Sequence, residues 1–214
     1  MHQSALIFLT ESEMIGVVAL VALGVLCFIA LVLLVLYNKL VGARMRGRES
    51  FSGIATELQR RHDLVPNLVS IVKGYAAHEK ALFERVSELR SQASELAERS
   101  TRRGVSAQDF QATQSALAGR ERELGGLIGK LIVQVEAYPE LKASEQFGDL
   151  MKQLRLTEDR IQAARRFYNA EVRELNIRCE SFPSALVAKS FGFNQMDFFQ
   201  IEDALARANP DVRL

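Results

Sequence analysis

Three histidines, two cysteines and a few carboxylates in unusual places are what this chain offers to chemistry. His78 and Glu79 are adjacent, and His-Glu opens the H-E-x-x-H pattern, in which two histidines one helical turn apart hold zinc while the glutamate acts as base. The second histidine's place is taken by Leu82. A di-iron carboxylate centre needs Glu-x-x-His pairs on facing helices, but Gln59 stands three before His62 and Tyr75 three before His78. Cys179 lies on an apolar face without a base nearby in sequence, and Cys27 falls inside a hydrophobic run, so neither resembles an activated nucleophile and the two are unsuited to a bridge. Gly104, Gly119 and Gly125 are not part of a phosphate loop, which needs Gly-Lys-Ser/Thr at the start of a helix. These spacings predict no catalytic residue, no metal-ligand set and no bound cofactor.

The groups that stand out instead are charges on apolar stripes. Val65, Leu68, Val72, Tyr75, Leu82, Val86, Leu89 and Leu96 recur at helical spacing, and Glu79 falls on their stripe. A second seam runs Phe147, Met151, Leu154, Glu158, Ile161, Arg165, Tyr168, Val172, Leu175 and Cys179, with two charged members. An ionised group facing a core must be neutralised there. Glu79, Glu158 and Arg165 are therefore the candidate members of a buried charged layer. Glu158 and Arg165 lie seven residues apart, about 10.5 Å along one helix, which makes Glu79, arriving from another helix, the better direct partner for Arg165. Such a layer can fix helix register or form a recognition site.

Long helices must position it, and the sequence supplies them. One runs from about Ser106 to Tyr138, where Pro139 ends it; the next runs from about Ser144, a good N-cap, to Cys179. Pro66 interrupts the first, since proline removes an N–H, clashes with the preceding turn and costs about 3 kcal/mol in a helix interior. The spacing predicts a helix that ends or kinks there, then one that restarts, capped by Asp63, and continues to about Glu98. The three glycines Gly125, Gly126 and Gly129 suggest close approach of a neighbouring helix. No period-2 strand pattern appears. The expected fold class is all-α: one N-terminal transmembrane helix followed by an antiparallel four-helix bundle of long helices.

Met14 to Leu36 carries no charge over roughly 23 residues, about 35 Å as a helix, enough to cross a bilayer. Its acidic flank, its length and the lack of an A-x-A site argue against a cleaved signal peptide. All 27 Lys and Arg follow Asn38. Lys39, Arg44, Arg46 and Arg48 form a candidate membrane-surface collar, which places the N-terminus outside and the bulk in the cytoplasm and could hold anionic headgroups at about 1 kcal/mol per residue. A net charge of only +1 gives no signal for a nucleic-acid partner. The organisation expected is a short extracytoplasmic N-terminus (1–13), a transmembrane helix (14–37), a helical domain (38–199) and a flexible tail (200–214). Phe191, Phe193, Phe198 and Phe199 are expected to fold back on the bundle or onto the membrane, since burying a phenylalanine is worth about 1.5–3 kcal/mol.

Several ordered motifs carry a family resemblance: Tyr37-Asn38-x-Leu40-Val41; RRHDLVPNLVSIVKGYAAHE at 60–79; VEAYPELKA at 135–143; TEDRI at 157–161; Ala164-Arg165-Arg166-x-Tyr168-Asn169; and Phe182-Pro183. Over about Tyr37 to Phe199 the chain resembles the LemA family of bacterial membrane-anchored proteins, departing from it in carrying Phe51 where relatives often have Trp. The resemblance implies a helical bundle on a stalk at the bacterial inner membrane. Some relatives belong to magnetosome membrane systems and others are encoded near membrane metalloproteases, which implies a part in membrane or organelle biogenesis and makes such a protease one class of partner. The expected function is that of a non-enzymatic scaffold or adaptor, with the lipid bilayer and an unidentified membrane protein as partners. The alternative is a sensory or ligand-binding bundle with a small molecule near Glu79, Glu158 and Arg165.

Overall fold

The computed structural model describes residues 2–75, 79–102 and 104–200, without the side chains of residues 2–13 and Ile15. The expectations for His78 and for the tail beyond Gln200 lie outside the described residues. Every regular element among them is a helix. The first, α1 (His2–Lys73), is a single run of 72 residues, about 108 Å long. It contains the whole apolar run, whose described side chains are exposed from Met14 to Val35, and then continues as a helix of the domain.

Pro66 does not end α1, contrary to the expectation from sequence. It lies on the exposed side, where its ring displaces no core packing. Asp63 is correspondingly no cap; its carboxylate accepts from Gln59 Nε2 one turn back at 2.9 Å. The chain reverses beyond Lys73 instead, and α2 (Lys80–Thr101) follows. Then come α3 (Ala107–Val135), the short α4 (Pro139–Lys142), α5 (Glu145–Glu180) and α6 (Ser184–Ser190). Two long helices are capped by serine side chains, as their sequences suggest: Ser106 Oγ accepts from the Asp109 N–H, and Ser144 Oγ from the Phe147 N–H.

The domain half of α1 packs chiefly on α5 and also on α2, while α2 packs on α3. Arg46 pairs with Glu171 and Arg61 with Glu158, so residue numbers rise along α1 as they fall along α5. The interior is divided in two. A proximal core, at the end nearer the apolar run, gathers Leu40, Phe51, Ile54, Leu58, Phe110, Leu117, Ile161, Tyr168 and Val172. A distal core gathers Val65, Leu68, Val72, Leu89, Leu124, Ile128, Leu131, Phe147 and Leu154. On α1, α3 and α5 alike, the gap between them is filled by polar side chains.

After α6 the chain turns at Gly192, whose φ of +68° suits glycine, and runs without regular structure to Gln200. It is nevertheless tightly held. Asn176 donates from Nδ2 to the Met196 carbonyl (3.0 Å) and accepts from the Met196 N–H (2.9 Å); Asn169 does the same for Phe199 at 3.2 and 2.9 Å. The spacings match. Seven residues of α-helix rise about 10.5 Å, and three residues of extended chain rise about 10 Å. Phe193 and Phe199 are buried, as expected from sequence, whereas Phe191 and Phe198 remain exposed. Gly47 makes room for this segment, since a Cβ there would meet Met196 Sδ at 3.2 Å.

Candidate functional site

Four side chains fill the gap between the two cores. Arg61 and His62 come from α1, Glu121 from α3 and Glu158 from α5, and all are buried. Arg61 Nη1 donates to Glu158 Oε2 at 3.1 Å, and Nη2 donates to Glu121 Oε2. His62 Nε2 lies 2.6 Å from the other Glu121 oxygen. An ionised carboxylate only accepts, so Nε2 carries the hydrogen of that bond. Arg61 thus bridges two carboxylates from two other helices, which its planar fork and fixed charge allow and a lysine would not reproduce.

The electrostatics agree with the geometry. Burial pushes the Glu121 pKa up, but the Arg61 charge together with the His62 hydrogen bond outweighs it and holds the carboxyl below its ordinary value. For Arg61, burial works against the charge, and the two glutamates more than restore it. No group of three or more His, Cys, Asp and Glu side chains among the described residues is arranged to hold a metal ion. Within the layer a cation is already present, since Arg61 contacts both carboxylates. Such an ion-pair layer ties α1, α3 and α5 to one register, because any slide would strand a buried charge.

The sequence reading found one member of this layer and missed three. Glu158 is buried as expected. Glu79 is exposed and stands at the N-terminal end of α2, with no side-chain cap bond, so it does not belong to a buried layer. Arg165 is half-buried, one heptad from Glu158 toward the proximal end. Glu79 stands past the end of α1 at Lys73, itself about 18 Å along α1 from Arg61 and away from Arg165, and the carboxylates that Arg61 engages are Glu121 and Glu158. The same test would have found the missing residues. Glu121 stands between Leu117 and Leu124 on the α3 stripe, and Arg61 and His62 stand between Leu58 and Val65 on that of α1.

A second polar centre lies deeper in the proximal core. The buried Tyr168 hydroxyl donates to the Asp197 carbonyl (3.0 Å) and accepts from Gln114 Nε2 (3.0 Å). Burial, opposed by the Gln114 bond and helped by the charge of Asp197, pushes its pKa up to about 12. Of the basic collar, Arg44 stacks over Phe193 at 4.7 Å, Arg48 over Phe110 at 5.4 Å, and Arg46 pairs with Glu171 at 3.2 Å, while Lys39 is exposed. Burial, then the charge of Arg44, lowers the pKa of Arg48. Cys179 is half-buried, and burial followed by the charge of Glu180 raises its thiol pKa, the opposite of activation.

An all-α domain continuous with one long apolar N-terminal helix, its interior split by an ion-pair layer, defines a membrane-associated helical protein. The LemA family profile matches residues 50–214, and the chain belongs to that family. Among its relatives are Magnetosome protein MamQ 2 of Paramagnetospirillum magneticum, 28% identical over 199 residues (87% of this chain, 73% of the relative), and Magnetosome protein MamQ of Magnetospirillum gryphiswaldense, 26% identical over 198 residues (86% and 73%). Protein LemA of Metamycoplasma hominis is 24% identical over 149 residues, covering 70% of this chain and 61% of the relative.

Proposed function

We propose that this protein is a non-enzymatic scaffold or adaptor of the bacterial inner membrane, an antiparallel four-helix bundle held to the bilayer by one span. Its N-terminus lies outside and its bundle in the cytoplasm, as the basic residues after Leu36 favour. The observation that carries the reading is that the strongest charges of the interior are engaged with one another, Arg61 with Glu121 and Glu158, and His62 with Glu121. The open grooves are elsewhere. One of about 630 Å³ lies between α3 and α5, lined by Ile132, Phe147, Met151, Arg155 and Leu156; another, of about 720 Å³, lies between α1 and α2. These outer faces suit partner binding. The MamQ relatives support a role in building or organising a membrane, with a membrane protein as partner, a membrane metalloprotease being one class to test.

A second reading, a ligand-binding sensory bundle, rests on Arg61 Nε and His62 Nδ1, both buried without a hydrogen-bond partner among the described residues. One experiment separates the two. A photo-crosslinker at Leu156 or Val133, both exposed, is compared in cells between the parent chain and a variant with Arg61→Met, Glu121→Leu and Glu158→Leu. A scaffold keeps its crosslinks in the charge-free variant. Loss of crosslinks from a variant that still folds supports the polar layer as the binding site. An impermeant thiol reagent that labels a cysteine added near Gln200 in intact cells would overturn the topology.

A further inference from the structure

The proximal end of the domain ends in a surface that none of the interior packing uses. Tyr37 closes the apolar run, and the Phe191 ring lies 5.0 Å and the Phe193 ring 5.6 Å from it. Phe191 therefore sits at the level where α1 leaves the apolar segment. The end of α5 reaches the same level: Arg46 pairs with Glu171, and nine residues onward along α5 and back along α1 bring Glu180 opposite Tyr37. Here α6 begins, with two faces. Val187 and Ala188 are buried in the proximal core, while Leu186 is 61% exposed and Phe182, in the turn before α6, is 82% exposed. Phe191, directly after α6 and against Tyr37, is 60% exposed. Scattered exposed apolar residues are ordinary, but three large ones gathered at one end form a patch that calls for a cover.

We propose that this end rests on the lipid bilayer itself, with Phe182, Leu186 and Phe191 inserted at the boundary between headgroups and acyl chains. The proposal depends on α1 crossing the bilayer through its apolar run. If it does, the level of Tyr37 is the membrane interface, where aromatic rings are favoured, and the patch is continuous with the lipid-facing surface of the span. Lys39 and Lys189 are exposed at the same end and suit anionic headgroups. A carboxylate at this end, Glu180, accepts a hydrogen bond from Gln195 Nε2. The bundle is then a domain seated on the membrane rather than one hanging from a stalk.

The chain has no tryptophan, so single substitutions give clean reporters. Phe182→Trp and Phe191→Trp are made in the full chain, with Leu23→Trp in the span and Phe198→Trp as controls. Phe198 is also exposed, but its neighbour Phe199 packs on Phe51, fourteen residues or about 21 Å along α1 from Tyr37. Each variant is reconstituted in phosphatidylcholine–phosphatidylglycerol nanodiscs, with and without brominated acyl chains. Docking predicts loss of emission at positions 182 and 191 comparable to that at 23, and none at 198. Quenching at 23 alone overturns the docking while leaving the span intact. No quenching at any position overturns the span and the docking together. Blue-shifted but unquenched emission at 182 and 191 means that a second copy or another protein covers the patch, which also overturns the proposal.

Discussion

The two cores of this domain treat the same seam differently. In the proximal half, the space between α3 and α5 is filled by the extended segment after α6. Gln111 donates to the Gln195 carbonyl from the α3 side, and Asn169 and Asn176 clamp the segment from the α5 side. Phe199 and Tyr168 meet Phe51 edge-on, with ring centroids 5.2 and 5.4 Å away, so this half is aromatic. In the distal half no described segment fills the seam, the core is largely aliphatic, and a groove remains open beside Phe147 and Met151. One half is closed by its own chain. The other keeps a concave face, which is where an adaptor would be expected to meet a partner.

The largest effect should come from the layer that separates the halves. Arg61→Met should cost about 3–5 kcal/mol, because the charge that offsets the burial of Glu121 is removed, and should lower the melting temperature of the full chain in detergent by circular dichroism. Adding Glu121→Leu and Glu158→Leu should restore most of that loss; no recovery would show that the layer does more than balance charge. Next, Phe199→Ala should cost about 3 kcal/mol, with hydrogen exchange rising around Phe51 and Tyr168 while amides near Leu131 stay protected. Equal loss of protection in both halves would mean that they are one cooperative unit. Asn176→Ala should cost about 1–3 kcal/mol by leaving both polar groups of Met196 unpaired.

The pH response is smaller and has a definite sign. The Glu121 pKa is depressed in the folded state, so its contribution is complete above its ordinary value of 4.5 and is lost as pH falls through that value toward the folded one. The parent should lose melting temperature in this acid range more steeply than Glu121→Gln. Smallest of all, Gly126→Ala should stabilise the distal half by about 1 kcal/mol, since an added Cβ there meets no neighbour and alanine favours helix. The expectation of close helix approach fails at that position.

Sequence made the helices legible because their apolar period is strong and their serine caps are local. It misplaced the first break because a proline ring on an exposed helix face displaces no core packing, and the pattern around Pro66 does not say whether that face is wet. Glu158 was visible as a charge within a regular heptad seam. Arg61, His62 and Glu121 are just as visible by the same test, but the first two stand beside Pro66 and the third among glycines, features that draw a different reading. The exposure of Glu79 was not legible. Its stripe position assumes one uninterrupted helix, and the chain reverses just before it. The tail's two-asparagine clamp has no sequence signal, because neither Asn169 nor Asn176 marks a partner three residues from another.

The unbroken course of α1 has a mechanical consequence. From Tyr37 to Lys73 it extends about 54 Å beyond the apolar run. A membrane helix commonly tilts by about 20°, and a change of that size would carry the far end about 18 Å sideways. If α1 crosses the bilayer, a change of its tilt would thus be delivered as lateral displacement of the open groove at the distal end. A rigidly attached spin label at the exposed Lys73, in bilayers aligned on a support, would read this as a change in the helix angle to the membrane normal between thin and thick bilayers. An unchanged angle at Lys73 would mean that the helix gives way at Pro66 and the lever is broken there.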